Sequence, residues 1–240
     1  MKLCKEQIVR VFLFFLALFL LTSAQAYAQR SSFGIDLGET TDRFGALART
    51  TTGEADIEGT VIVLNRANAP GDPNIVVGGE AQLPVDTSTH APEFAGFVGP
   101  EFNIGKHFIL GFHAQVRKIY PPTSDVNGLF FPRYKMLLLE IPAVAEYHFG
   151  SSGHAFIRAQ VSPEFAPHYN QSSSGPSAFP GPSFDHAYTI RASAGYTFGR
   201  WYAKANYETR YFKFATNLGN PSNLNNWRSD KASAGIGVAF

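Results

Sequence analysis

Lys231-Ala232-Ser233-Ala234-Gly235-Ile236-Gly237-Val238-Ala239-Phe240 closes the chain. Counting back from Phe240 in twos gives Val238, Ile236, Ala234 and Ala232, all apolar. The residues between them are Ala239, Gly237, Gly235, Ser233 and Lys231, which are small or polar. Strict period-two alternation is the pattern of a strand with one greasy face and one wet face.

The same alternation recurs upstream. Phe108, Leu110, Phe112, Ala114 and Val116 alternate with His107, Ile109, Gly111, His113, Gln115 and Arg117. Leu137 to Phe149 and Ala155 to Phe165 repeat it, with Glu140, Glu146 and His148, then Arg158, Gln160 and Glu164, on the polar faces. Tyr188 to Phe198 and Trp201 to Tyr211 do so again, with Arg191, then Lys204, Glu208 and Arg210. Three segments (Phe102 to Phe108, Tyr147 to Gly150, Tyr196 to Arg200) read as short Gly-containing turns between paired strands. Pro/Gly/Ser/Asn stretches separate the hairpins: Pro121 to Pro132, His168 to Asp185 and Asn217 to Arg228. Short turns alternating with long loops describe an all-β, antiparallel, up-and-down barrel.

The strand count by this reading is eight. The first strand starts near Phe33, six lie near 93–104, 107–118, 136–149, 153–166, 187–198 and 201–214, and the last is 230–240. Residues from about 40 to 92 then form one long first loop. Within it, Gly59 to Asn65 and Asn74 to Leu83 resemble a hairpin. Their continuous apolar runs, Val61 to Leu64 and Ile75 to Val77, lack polar alternation, so the hairpin is expected outside the membrane; ten strands is the alternative. Pro100, Pro142 and Pro163 fall inside expected strands and should mark bulges or bends, because each removes a ladder hydrogen bond.

At the other end, Lys2, Lys5 and Arg10 precede an eleven-residue apolar run, Val11 to Leu21, and then Ala26-Tyr27-Ala28. That is the pattern of a secretory signal peptide over 1–28, and the run is too short for the roughly 20 residues of a spanning helix. Residues 29–240 are the expected barrel domain. The single cysteine, Cys4, lies in the signal segment, so no disulfide is expected in the mature chain. Removing the segment takes 20 basic and 19 acidic residues to 17 and 18. A near-neutral domain carries no electrostatic footprint for nucleic acid. Its load of 22 Phe and 10 Tyr suits a membrane-interface girdle.

Alternation alone leaves open which face points inward. The rings beside the short turns (Phe102, Phe108, Phe149, Phe198, Trp201 and Phe240) favour lipid on the greasy side. The charges then enter the lumen, where an unpartnered buried charge costs several kcal/mol. A structural network is expected from Glu101, Arg117, Glu140, Glu146, Arg158, Glu164, Arg191, Lys204, Glu208 and Arg210. Gly199-Arg200 reads as a two-residue type II′ turn, which sets Arg191 opposite Glu208. Across the Gly150 turn, Glu146 lies opposite or diagonal to Arg158.

The terminal strand, the meander, and Leu139-Glu140-Ile141-Pro142 leading into Tyr147-His148-Phe149-Gly150 together resemble the small bacterial outer-membrane β-barrel superfamily, the OmpA-like and OmpX-like transmembrane domains. The resemblance covers the mature chain and is architectural. It implies residence in the outer membrane of a Gram-negative envelope, contact with lipid and lipopolysaccharide, and an assembly signal at Phe240, Val238 and Ile236 read by the barrel-assembly machinery. It implies a structural or surface role in which the long loops meet an unidentified extracellular ligand. No catalytic, cofactor or metal residues are expected, and wall anchoring of the OmpA kind is not implied. A small channel is the alternative function. A lipid A hydrolase built on His168 with Ser172, Ser173 or Ser174, and Asp185-His186 as orienting acid, is a third.

Overall fold

The computed structural model describes residues 31–44, 48–64, 73–87, 90–105, 107–119, 125–126, 129–130, 134–149, 154–171, 184–214 and 226–240. The expected signal peptide, Cys4 and Ser172 to Ser174 lie outside them. The main sheet holds twelve strand segments, and two pairs of segments each continue one strand, which leaves ten. In chain order they are β1 (Ser32–Phe44), β2 (Ala48–Leu64), β3 (Pro73–Pro84) and β4 (Glu93–Ile104). Next come β5 (Phe108–Phe112 and Ala114–Ile119), β6 (Tyr134–Glu140 and Ala143–Phe149) and β7 (Ala155–Gln171). Finally come β8 (Phe184–Phe198), β9 (Trp201–Phe214) and β10 (Asn226–Ala239). Every strand pairs antiparallel with its chain neighbours, and β1 pairs with β10 over thirteen register positions from Ser32↔Ala239 to Phe44↔Trp227. The sheet is therefore a closed up-and-down barrel. Reciprocal bonds between Ser31 and Phe240 (3.2 and 2.8 Å) fasten the seam at the end where both termini lie.

Ten strands correct the count of eight, and the error lies in residues 40–92. β2 and β3 are full members of the wall, paired from Glu54↔Pro84 to Leu64↔Ile75. Val61 to Leu64 and Ile75 to Val77 lack alternation because their own lumen positions, Ile62 and Val76, are apolar. Val76 is a buried lumen side chain whose register partner is Ile62. Further along β2, Glu54, Asp56 and Glu58 alternate with Ala55, Ile57 and Gly59, so the period-two signal exists inside the supposed loop.

None of the three prolines marks a register shift. Pro142 does interrupt β6, beside the break in β5 at His113, and the His113 N–H donates to the Pro142 carbonyl at 2.9 Å. Yet Ala143↔Val161 below and Glu140↔Glu164 above keep one register, so no residue is inserted. Pro100 and Pro163 sit within unshifted ladders, opposite Ile75 and Tyr188. The register shifts fall elsewhere, between Ile62/Leu64, Phe165/His168 and Phe184/His186.

Strand ends on the terminus side are joined by 65–72, 105–107, 150–154 and 199–200, and those on the opposite, loop side by 45–47, 85–92, 120–133, 172–183 and 215–225. Gly199 has φ +65°, as its position in the two-residue turn requires, and Gly105 has φ +67°.

Candidate functional site

Barrel closure decides the direction of the faces. Arg117 is 1% exposed and Glu140 0%, whereas Ile35 is 45% exposed, Leu139 45% and Trp201 53%. Along the middle of the wall the charged face points inward and the apolar face outward, by the parity read from the last strand.

The lumen charges form a chain that crosses the barrel. Arg117 on β5 donates through Nε to Glu140 on β6 at 3.1 Å and lies 3.7 Å from Glu80 on β3. Glu80 accepts from Arg191 on β8 at 2.9 Å. Arg191 Nε donates to Glu208 on β9 at 2.7 Å, and Glu208 pairs with Arg210 at 2.8 Å. Arg210 then reaches Glu93 on β4 at 2.5 Å and donates to Gln82 at 3.0 Å. Because β3 faces β8 across the lumen, Glu80 is the member that joins the two walls.

Two further groups flank this chain. Toward the terminus end, Arg158 bonds Glu146 at 3.1 Å and lies 3.6 Å from Glu101, whose other neighbour is His113 at 3.3 Å. Lys204 pairs with Glu58 and, at 3.2 Å, with Asp36. Toward the loop end, Lys231 pairs with Asp56 and lies 3.4 Å from Glu54.

Nine of the ten residues expected in the network are thus joined in ion pairs. Arg191↔Glu208 and Glu146↔Arg158 are direct cross-strand partners. Glu164 departs from the expectation. It is in the lumen but directly opposite Glu140, accepts from Thr189 at 2.9 Å, and leaves Oε2 buried without a hydrogen bond. Parity put Glu164 inside, but register set it against a like charge, with Arg117 on the far side of Glu140. The residues missed by sequence reasoning are Asp36, Glu54, Asp56, Glu58, Glu80, Glu93, His113 and Lys231, and four of them, Glu54 to Glu80, come from strands assigned to a loop.

The lumen is unevenly filled around the described residues. A cavity of about 660 Å³ at the terminus end is bounded by Glu58, Glu101, Glu146, Arg158, Tyr202 and Lys204. A second cavity, around Asp56, Glu80, Arg191 and Glu208, holds about 10 Å³, and Glu80 and Arg191 line both. The smaller volume is on the order of one water. At the loop end, a cavity of about 30 Å³ adjoins Asp42, His90 and Trp227. There the Trp227 Nε1–H donates to Asp42 at 2.8 Å, His90 Nε2 lies 2.9 Å from the other oxygen, and Phe212 stacks on Trp227 at 4.6 Å. His168 on β7 is the register partner of Leu137, and Asp185 falls at the shift between Phe184 and His186.

No protein-family model matches the chain, and no curated protein matches it. Among solved structures it is similar to the outer membrane protease OmpT from Escherichia coli (13% identity, 89% of this chain and 97% of that one, TM-score 0.45). It is also similar to Neisserial surface protein A (15%, 89% and 99%, TM-score 0.40). A third is the translocator domain of the autotransporter NalP from Neisseria meningitidis (10%, 98% and 98%, TM-score 0.35).

Proposed function

We propose that this chain is an integral, non-enzymatic barrel protein of the bacterial outer membrane, with a structural or surface-interaction role carried by the connections at its loop end. The single observation that supports the reading is the inverted distribution of polarity. Ile35, Leu37, Leu137, Leu139, Ile141, Ile157, Ile190 and Ile236 are all exposed on the outer wall, while Asp56, Arg117, Glu140, Glu208 and Arg210 are buried in the lumen. In water such an exterior is an aggregation surface; in a bilayer it is the lipid-facing band. By the usual asymmetry of these barrels the short turns face the periplasm and the long loops face outward. Phe240, Val238 and Ile236 would serve the assembly machinery, and lipopolysaccharide would surround the outer half.

The decisive experiment is fractionation with heat-modifiable migration on SDS gels. The expected result is an outer-membrane species that runs faster unheated than boiled. Recovery as a soluble protein would overturn the reading. A small channel is the second reading, favoured by the 660 Å³ cavity. The cross-lumen ion chain argues for a plugged barrel, and bilayer conductance separates the two.

A further inference from the structure

The outer face of β2, β1 and β10 changes character along one line. At the level of Leu37 the outward rank is apolar, with Ala234 and Ala55 as its register partners. The next rank toward the loop end is Glu39, with Ala232 and Gly53, and then Thr41, with Asp230 and Thr51. After it comes Arg43, directly opposite Arg228 across the β1–β10 ladder. Like charges directly opposite one another across a ladder repel. Among the described residues Asp230 is the carboxylate that answers the two: Arg228 donates to it at 2.9 Å, and the Arg43 guanidinium lies 3.9 Å away. The Arg43 and Arg228 side chains are 48% and 47% exposed. Tyr207 donates its hydroxyl to the same Asp230 at 3.1 Å, which further occupies the one carboxylate.

A net-positive rank of guanidiniums, underlaid by hydroxyls and set where an apolar wall ends, is suited to one class of ligand. Guanidinium forks match phosphate oxygens, and lipid phosphates lie at the edge of the hydrocarbon layer. We propose that Arg43 and Arg228 form a binding site on the outer wall for the phosphate of a phosphorylated glycolipid in the outer leaflet. The assignment rests on the membrane reading above and adds to it a lipid class and an address on β1 and β10.

The test uses the folded full-length mature chain in detergent micelles, titrated with bis-phosphorylated lipid A, with the same lipid after phosphate removal, and with inorganic phosphate. The readout is the ligand-dependent rise in the unfolding midpoint. The phosphorylated lipid should bind roughly tenfold more tightly than the dephosphorylated one, since two charge-assisted bonds are at stake. Arg43→Gln combined with Arg228→Gln should abolish that difference. Asp230→Asn, which removes the competing carboxylate, should retain or strengthen it. Lys118→Gln, on β5 at the opposite side of the barrel, should leave it unchanged. Equal affinity for the two lipids, equal effectiveness of inorganic phosphate, or an unaffected double variant would each overturn the site. Those results leave heat-modifiable outer-membrane migration intact, so this inference can fail while the membrane reading stands; a chain that is not in the outer membrane defeats both.

Discussion

Glu80 illustrates how much one residue can bear. It lies between Arg191 at 2.9 Å and Arg117 at 3.7 Å, on a strand across the lumen from Arg191. Removing its charge leaves two buried guanidiniums sharing fewer carboxylates. Glu80→Gln should therefore destabilise the barrel by about 3–5 kcal/mol, read as a lower urea midpoint in micelles. A variant within experimental error of the parent would refute the role given to the cross-lumen chain. Gly34 bears a steric load instead. A Cβ there would stand 2.4 Å from the Tyr202 hydroxyl oxygen and 3.3 Å from the ring carbon that carries it. Gly34→Ala should cost about 1–3 kcal/mol through overpacking, and Tyr202→Phe, which deletes the clashing oxygen, should recover much of it. Strict additivity in that double-mutant cycle would show that the contact is not the cause.

At the scale of elements, the β8–β9 hairpin shows how a turn specifies chemistry. The two residues Gly199 and Arg200 hold Phe198 opposite Trp201, and thirteen further pairs follow, including Arg191↔Glu208. An added Cβ at Gly199 would meet nothing within 4 Å, so its penalty is conformational. Gly199→Ala should cost about 1–2 kcal/mol from the left-handed φ alone. Inserting one residue into this turn is a stronger perturbation. A one-residue slip sends every side chain of a strand to the opposite face, which would turn Glu208 and Arg210 toward lipid. The insertion should abolish the heat-resistant folded band on SDS gels. This hairpin was legible in the sequence because its signal is local: a glycine, a two-residue gap and clean alternation. The β2–β3 pair was not legible by the same rule, since Ile62 and Val76 place apolar residues at lumen positions and hide the period. Pro142 was legible as an interruption but not in its form, because whether a proline inserts a bulge depends on what its neighbours' amides can reach.

For the whole molecule, the consequence of ten strands is a lumen too wide for neighbouring side chains to fill, since barrel diameter grows with strand number. The chain responds unevenly. It leaves a vestibule of about 660 Å³ at the terminus end and spans the lumen with the ions from Glu140 through Glu80 to Glu93. Planar-bilayer recordings of the parent should show no sustained conductance. Replacing Glu80, Arg117 and Arg191 together with serine should open a small, steady one. Conduction by the parent itself would favour the channel reading.

The parity of the wall was determined by the sequence alone, because alternation is a property of adjacent residues and needs no partner. Parity carried with it the identity of the charged face and, through one glycine turn, the Arg191–Glu208 pair. Tertiary structure decided the rest: the number of strands, the inward direction of the charges, the pairing of β1 with β10, and the meeting of Glu80 with Arg191 across 111 residues of chain. Each of these depends on closure of the barrel, where distant strands are brought together by backbone pairing that leaves no mark on either segment alone.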